Sequence, residues 1–249
     1  MHDSRVLVIT GAGVSAESGI PTFRGAGGYW RNVDPAKLAT PEAFARDPYL
    51  IWEWYRERRT RIRNAKPNAA HAAIAKLADY AQEFLLITQN VDDLHRRAGI
   101  MAEKMVQIHG DIFVTRCSRC DFSLSDHEHE KEEEEEEKNV VPKCAKCDAL
   151  MRPGVIWFGE QLPWNSLERI ENYLEQGPCD VVIVIGTTAA FGYIIDWALR
   201  ASYDRGEMIE VNPEETALSR FATRLVREPA AIALPHIVDA LMDSRSSKL

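Results

Sequence analysis

The stretch Val6-Leu7-Val8-Ile9 is apolar without a break and runs straight into the turn Gly11-Ala12-Gly13. A half-exposed strand would alternate apolar and polar residues. An unbroken aliphatic run of this length, stopped by glycines, reads as a strand buried on both faces. Such strands belong to parallel sheets with helices on either side, so this segment points to an α/β architecture. The rest of the chain agrees. Phe84 to Thr88, Met105 to Ile108, Asp180 to Ile185 and Met208 to Val211 read as further strands. Pro41 to Arg63 reads as mostly helical with a break before Pro48, and Asn68 as the cap of a helix reaching Leu77. Ser166 to Gln176, Tyr193 to Tyr203 and Leu234 to Met242 read as later helices. Strands alternating with helices predict a Rossmann-like, doubly wound parallel sheet.

Gly11, Gly13 and Ala16 fit the G-x-G-x-x-G/A pattern of dinucleotide sites. The first glycine permits a tight turn. The second lets backbone N–H groups approach a pyrophosphate, and the small third residue lets the next helix pack with its positive end toward the anion. A glycine turn without a ligand has the same letters, but the buried strand before it favours a nucleotide. No second strand ending in an acidic residue follows about twenty positions further on, where dehydrogenases bind a ribose hydroxyl. Pro21-Thr22-Phe23-Arg24 and a loop through Gly25, Gly27, Gly28 and Trp30 follow instead. An ordinary NAD dehydrogenase is therefore a poor fit.

Residues 113–152 break the α/β rhythm. They hold Cys117/Cys120 and Cys144/Cys147, two C-x-x-C units separated by 23 residues. Four thiolates suit a tetrahedral Zn²⁺ and leave no open coordination position, so the metal is expected to be structural. His127 and His129 are rival ligands, though a solvated acidic loop explains them more simply. The run 132–137 is six glutamates, a like-charge block expected to repel itself. The segment reads as a small zinc-binding module inserted into the main domain. Cys179 reads as a buried apolar residue.

Net charge is −8 over 249 residues, which argues against a general nucleic-acid binder needing a basic field. No apolar run reaches the length of a membrane span, and the apolar start at Val6 is too short for a secretory segment. A cytoplasmic protein is expected, or a mitochondrial one if the source is eukaryotic.

The ordered motifs are now recognisable. Gly11-Ala-Gly-Val-Ser-Ala-Glu-Ser-Gly-Ile-Pro-Thr-Phe-Arg24 resembles the first signature of the sirtuins. Thr88-Gln89-Asn90-Val91-Asp92-Asp93-Leu94-His95 resembles the second, His109-Gly110 the third, and Arg152 to Glu160 the fourth. Gly186-Thr187-Thr188 and Val211-Asn212-Pro213 resemble the adenosine-binding segments. The match runs from residue 6 to 242 in the family's order.

This resemblance implies one sirtuin catalytic unit over residues 1–249. The large Rossmann-like domain would take 6–30, 84–112 and 153–243, with a helical cofactor-loop and acyl-pocket segment at 31–83 and the zinc module at 113–152. It implies NAD as co-substrate, acyl-lysine proteins or peptides as partners, no membrane or specific nucleic acid, and a monomer. Asn90 and Asp92 would hold nicotinamide and its ribose, and His109 would be the base that takes a ribose hydroxyl proton. Gly11, Ala12, Gly13, Ala16, Thr22, Phe23, Arg24, Trp30, Gln89, Val91, Gly186, Thr187, Thr188, Asn212, Pro213, Glu214 and Ala230 would complete the NAD site. Val155, Trp157, Phe158, Gly159 and Glu160 would meet the substrate, pairing with its backbone as an added strand.

Tyr55 and Arg58 share one helix face at i, i+3 and resemble the pair by which desuccinylase-like, class III sirtuins bind an acyl carboxylate. A guanidinium can grip a carboxylate through two parallel bonds and a phenol can add a third. At about 1.5–3 kcal/mol per bond to a charged group, the pair would favour succinyl over acetyl by roughly 10–100-fold. The expected activity is thus a desuccinylase/demalonylase with weaker deacetylase activity. The alternatives are a plain deacetylase with Arg58 on the surface, an ADP-ribosyltransferase or NAD glycohydrolase, and a non-enzymatic NAD-binding module. One departure from the family pattern stands out: Tyr193 occupies the place of a usual proline.

Overall fold

The computed structural model describes residues 4–22, 34–126, 140–203 and 206–246. Phe23, Arg24, Trp30, His127, His129 and the acidic run 132–137 lie outside the described residues.

Six strands form the main sheet: β1 (Arg5–Thr10), β2 (Glu83–Thr88), β3 (Met105–Gln107), β7 (Val181–Ile185), β8 (Glu207–Val211) and β9 (Arg224–Val226). They lie in the order β3-β2-β1-β7-β8-β9, every pair parallel. Val6 is in register with Phe84 on one side and Val181 on the other. Side chains alternate along a strand, so Val6 and Val8 join Leu86, Ile183 and Ile209 on one face. Leu7 and Ile9 join Leu85, Ile87, Val182 and Val184 on the other. Helices α4 (Ala69–Tyr80) and α8 (Ala230–Ser246) cover the first face; α6 (Trp164–Glu175) and α7 (Gly192–Ala201) cover the second. Both faces are buried, and each buried aliphatic side chain contributes about 1.5–3 kcal/mol to stability.

The doubly wound parallel sheet is as expected, with helix ends that differ by a few residues. Asn68 caps α4 by accepting from the N–H groups of Ala70 and His71, and the helix continues to Tyr80. Helix α8 starts at Ala230, earlier than expected, and contains Pro235. After β1 the expected helix is instead a 3₁₀ turn, Ala12–Ser18, stopped by Gly19 at φ 83°. A single short turn, α5 (Leu94–Arg97), follows the loop after β2.

A second sheet was not legible in the sequence. Strands β4 (Gly110–Cys117), β5 (Ser123–Ser125) and β6 (Met151–Val155) pair antiparallel in the order β5-β4-β6. Strand β6 reads Met-Arg-Pro-Gly-Val, and proline and glycine both argue against a strand. The ladder accommodates them through a register shift between Gly110 and Thr115. Gly154 is required by close approach, because a Cβ there would lie 2.7 Å from Val114 Cβ. Helices α1 (Pro35–Leu38), α2 (Pro41–Arg46) and α3 (Pro48–Asn64) share a core with this sheet through Phe44, Trp52, Tyr55, Ile112, Phe113 and Trp157.

Two glycine loops meet at the top of the main sheet. The N–H of Gly11 donates to Ile185 O at 2.9 Å and that of Gly13 to Gly186 O at 2.8 Å. Gly186 has φ 58°, and a Cβ on it would lie 2.5 Å from Val14 N. Gly186→Ala is therefore expected to lower stability by on the order of 2–4 kcal/mol in urea unfolding, combining left-handed strain with a backbone clash. Gly192→Ala, with open space around it, is the control and should stay within about 0.5 kcal/mol.

Candidate active site

The chain runs from β1 to β2 and β3 on one side of the sheet, then crosses to β7 on the other. The crevice beyond the carboxyl ends of β1 and β7 is a topological switch point, where open α/β sheets bind their ligands. Gly11, Ala12, Gly13 and Ala16 border it from β1, Gln89 to Asp92 from β2, and Gly186, Thr187 and Thr188 from β7. The N–H groups of Gly11 and Gly13 are bonded across to β7's loop, so these glycines are needed for loop-to-loop contact. The sequence reading assigned the first to a tight turn and the second to the approach of a pyrophosphate.

Beneath the crevice is a buried polar network centred on Ser15. Its hydroxyl donates to Asp92 Oδ2 at 3.0 Å and accepts from Asn90 Nδ2 at 3.2 Å. Asp92 Oδ1 accepts from the N–H of Leu94 at 3.1 Å. Burial pushes the Asp92 carboxyl up to about 6, against the pull of those two donors and of nearby Arg58. Thr10 Oγ1 donates to Thr88 Oγ1 at 2.8 Å and lies 3.1 Å from His95 Nε2. Burial pushes His71 down to about 4 and His95 well below its ordinary value, so both are neutral near pH 7. Sequence reasoning missed Ser15 as the hub; a lone hydroxyl between Val14 and Ala16 was the available signal.

His109 stands just before β4. Its Nδ1 lies 3.0 Å from Gln89 O and its Nε2 lies 2.8 Å from the Tyr193 hydroxyl. A carbonyl only accepts, so Nδ1 carries the ring proton and Nε2 presents its lone pair. Burial lowers the His109 pKa, opposed by the Gln89 bond, and the ring is neutral at physiological pH. The Gln89 amide donates to Thr187 Oγ1 at 2.9 Å, tying β2's end to β7's loop.

The remaining predicted residues divide by position. Val91 accepts the N–H of Ile112 at 2.9 Å, linking the β2 loop to β4. Asn212, Pro213 and Glu214 follow β8, with Asn212 Nδ2 donating to Glu214 O at 3.1 Å. Ala230 opens α8 and is buried. Thr22 and Thr188 are exposed. Trp157 and Glu160, expected at the substrate, are turned inward. Glu160 binds Arg152 at 2.5 and 3.0 Å and accepts the Trp157 N–H at 2.7 Å. The Trp157 indole donates to the Tyr55 hydroxyl at 2.9 Å. The N–H groups of Ile156 and Phe158 bond His109 O and Ala39 O, so 155–160 is not an open strand edge along its length. Val155 is buried in β6, while Phe158 and Gly159 face outward. Tyr55 is fully buried, and Arg58 lies over its ring with 5.5 Å to the centroid.

Cys117, Cys120, Cys144 and Cys147 converge, all four sulfurs lying within 4.8 Å of one another. Three pairs stand at 3.5, 3.6 and 3.6 Å. Four sulfurs each about 2.3 Å from a tetrahedral zinc would be about 3.8 Å apart, so the donor set fits one Zn²⁺. Backbone N–H groups of Arg119 and Cys120 point at Cys117 Sγ, at 3.3 and 3.4 Å, and stabilise a thiolate there. Elemental analysis is expected to find one zinc per chain, lost on chelation or acidification as the thiolates protonate. Cys144→Ser should lower zinc content and the melting temperature together.

The Sir2 family model matches residues 11–191. An NAD-dependent protein deacylase of Aquifex aeolicus (strain VF5) is 41% identical over 248 residues, spanning 100% of both chains. Among solved structures, a Sir2 homologue in complex with NAD is 42% identical with a TM-score of 0.87, covering 97% of this chain and 91% of that one. A Sir2 homologue mutant in complex with 2'-O-acetyl ADP ribose is 40% identical with a TM-score of 0.87, covering 97% and 93%. The chain belongs to the Sir2 family, the sirtuins.

Proposed function

We propose that this sirtuin, an NAD-dependent protein deacylase, removes acidic acyl groups such as succinyl and malonyl from lysine in preference to acetyl, with His109 as its base. The observation that carries the acidic preference is the arrangement of Tyr55 and Arg58 on α3. Arg58 is half-buried against the Tyr55 ring and within Coulombic range of Asp92. Burial lowers its pKa, opposed by Tyr55 and Asp92, yet a guanidinium stays charged at any physiological pH. The Tyr55 hydroxyl accepts from Trp157, a bond that uses an oxygen lone pair and not the hydroxyl proton. That proton and the guanidinium fork are the donor set a distal carboxylate requires. Acetyl lacks the carboxylate and would be the weaker substrate; the relative bound to 2'-O-acetyl ADP ribose supports acetyl as a substrate of this chemistry.

In this reading NAD is consumed as a co-substrate, its phosphates against the Gly11–Gly13 loop and its adenosine toward Gly186 to Thr188, Asn212 to Glu214 and Ala230. Asn90 and Asp92 hold nicotinamide and its ribose. The acyl oxygen attacks the ribose carbon as nicotinamide leaves. His109 then takes the proton of a ribose hydroxyl, whose oxygen attacks the imidate carbon. Water then adds to the cyclic intermediate and the carbon–nitrogen bond breaks, with the lysine amine taking a proton, so that the products are free lysine, nicotinamide and acyl-ADP-ribose. The neutral Nδ1–H tautomer held by Gln89 is the form such a base needs.

Replacing Arg58 with Met keeps the stem and removes the charge. The ratio of kcat/KM for succinyl-lysine over acetyl-lysine peptides is expected to fall by roughly 10–100-fold, measured by nicotinamide release. An unchanged ratio would sink the acidic-acyl reading and leave the deacylase intact. Asp92 offers a second test. Its pKa is raised in the fold from 3.8 to about 6, so its contribution to stability is fullest below about pH 4 and is lost as pH rises through 6. Above that pH the ionised group costs the fold on the order of 1–3 kcal/mol. Asp92→Asn is expected to raise the urea midpoint at pH 7.5 while lowering turnover by about two orders of magnitude.

A further inference from the structure

Tyr193 stands where the family pattern has proline, and the reaction described above gives it no part. Its hydroxyl lies 2.8 Å from His109 Nε2. The other ring nitrogen, Nδ1, donates to Gln89 O at 3.0 Å. With the proton on Nδ1, Nε2 has one lone pair, and the Tyr193 O–H must be the donor into it. A ribose hydroxyl giving its proton to His109 needs that same lone pair.

The phenol is held in place from several sides. It stacks on Phe191 with 5.4 Å between centroids and 8° between planes, and tilts against Trp197 at 5.0 Å. Phe191 in turn meets the His109 ring edge-on at 5.7 Å. Tyr193 is the second residue of α7, whose Trp197 is buried in the core of the main sheet. The contact is therefore anchored to a rigid element and does not depend on a loop.

We propose that Tyr193 is a positioning residue that latches the catalytic base: in the substrate-free protein its hydroxyl fills the Nε2 lone pair of His109, and the bond is given up when NAD and acyl-lysine fill the cleft. The inference rests on the reading of His109 as the base. In the chemical step the ribose O–H bond breaks and the Nε2–H bond forms, giving imidazolium. The ribose oxygen keeps the electron pair and attacks the imidate carbon. Tyr193 keeps its own proton throughout, in line with a phenol that burial pushes up to about 12. Tyr193 is the titratable side chain bonded to His109, and among the described residues no charged group contributes to the lowered pKa of the ring. A bond donated to the neutral imidazole lowers its pKa further.

The test is Tyr193→Phe, which keeps the ring and removes the donor. A hydrogen bond of about 0.5–1.5 kcal/mol corresponds to roughly 2- to 10-fold in an equilibrium, or up to about one pH unit. The acid limb of kcat/KM for NAD, which reports the free enzyme, should move up by that amount while the limb of kcat stays put. At pH 8, kcat/KM should rise by roughly 2- to 10-fold. Titration of the His109 ring nitrogens by NMR in the substrate-free proteins should show the Nδ1–H tautomer in both and the higher pKa in Tyr193→Phe. A fall in kcat of about tenfold or more would mean that the phenol relays the proton, and would overturn the latch. Unchanged limbs and an unchanged NMR titration would overturn it too. Turnover surviving His109→Ala would remove the base reading and the latch together, whereas turnover abolished by His109→Ala with an unmoved titration would remove the latch alone.

Discussion

The constraint on which the rest of the molecule depends is the contact between two backbone loops. The turn after β1 and the turn after β7 approach so closely that neither Gly11, Gly13 nor Gly186 can carry a side chain. Two N–H···O bonds lock them. The positions of Gln89 and His109 are referred to this joint. Gln89 reaches across it to Thr187, and the Gln89 carbonyl then orients His109. The His109 ring thus takes its position from backbone geometry laid down at the centre of the sheet.

The second organising feature is how charge is handled away from water. His71 and His95 pack ring against ring at 4.8 Å, and burial keeps both neutral. Asp92 is the anion next to them, held by Ser15 and the Leu94 N–H. Asp92, with Arg58 and Asp93 within Coulombic range, is thus a titrating carboxylate set beside neutral rings. On the other side, the Arg152–Glu160 pair, covered by the Trp157 ring, ties the strand of the small sheet to the loop beyond it.

What could be read in the sequence follows from how local each signal is. Strands β1, β2 and β7 were legible because burial on both faces leaves unbroken apolar runs, and β8 was legible despite the Glu210 inside its run. The cysteine quartet was legible because each C-x-x-C unit is a local turn that aims two sulfurs at one point. Strands β4 and β6 were not, because their pairing tolerates Pro153 and Gly154 only in the presence of a register shift and a close neighbour 40 positions away at Val114. The inward turn of Glu160 depends on Arg152, and the Tyr193–His109 contact spans 84 positions. His109 could be singled out only from its motif, since a histidine before a strand is ordinarily structural. The glycines were singled out for a tight turn and the approach of a pyrophosphate, and the structure adds a contact between loops that no local pattern shows.

One feature of the sheet bears on how the chain reaches this state. Val6 lies at the sheet's centre, flanked by Phe84 and by Val181, 175 positions later. At a synthesis rate of about 5–20 residues per second, β1 leaves the ribosome roughly ten to thirty seconds before β7 exists to cover its second edge. During that interval an aliphatic strand with an open edge is the most association-prone piece of the nascent protein. The same non-local pairing that gives the crevice its rigid floor makes the order of synthesis, and the company the nascent chain keeps, part of what decides whether it folds.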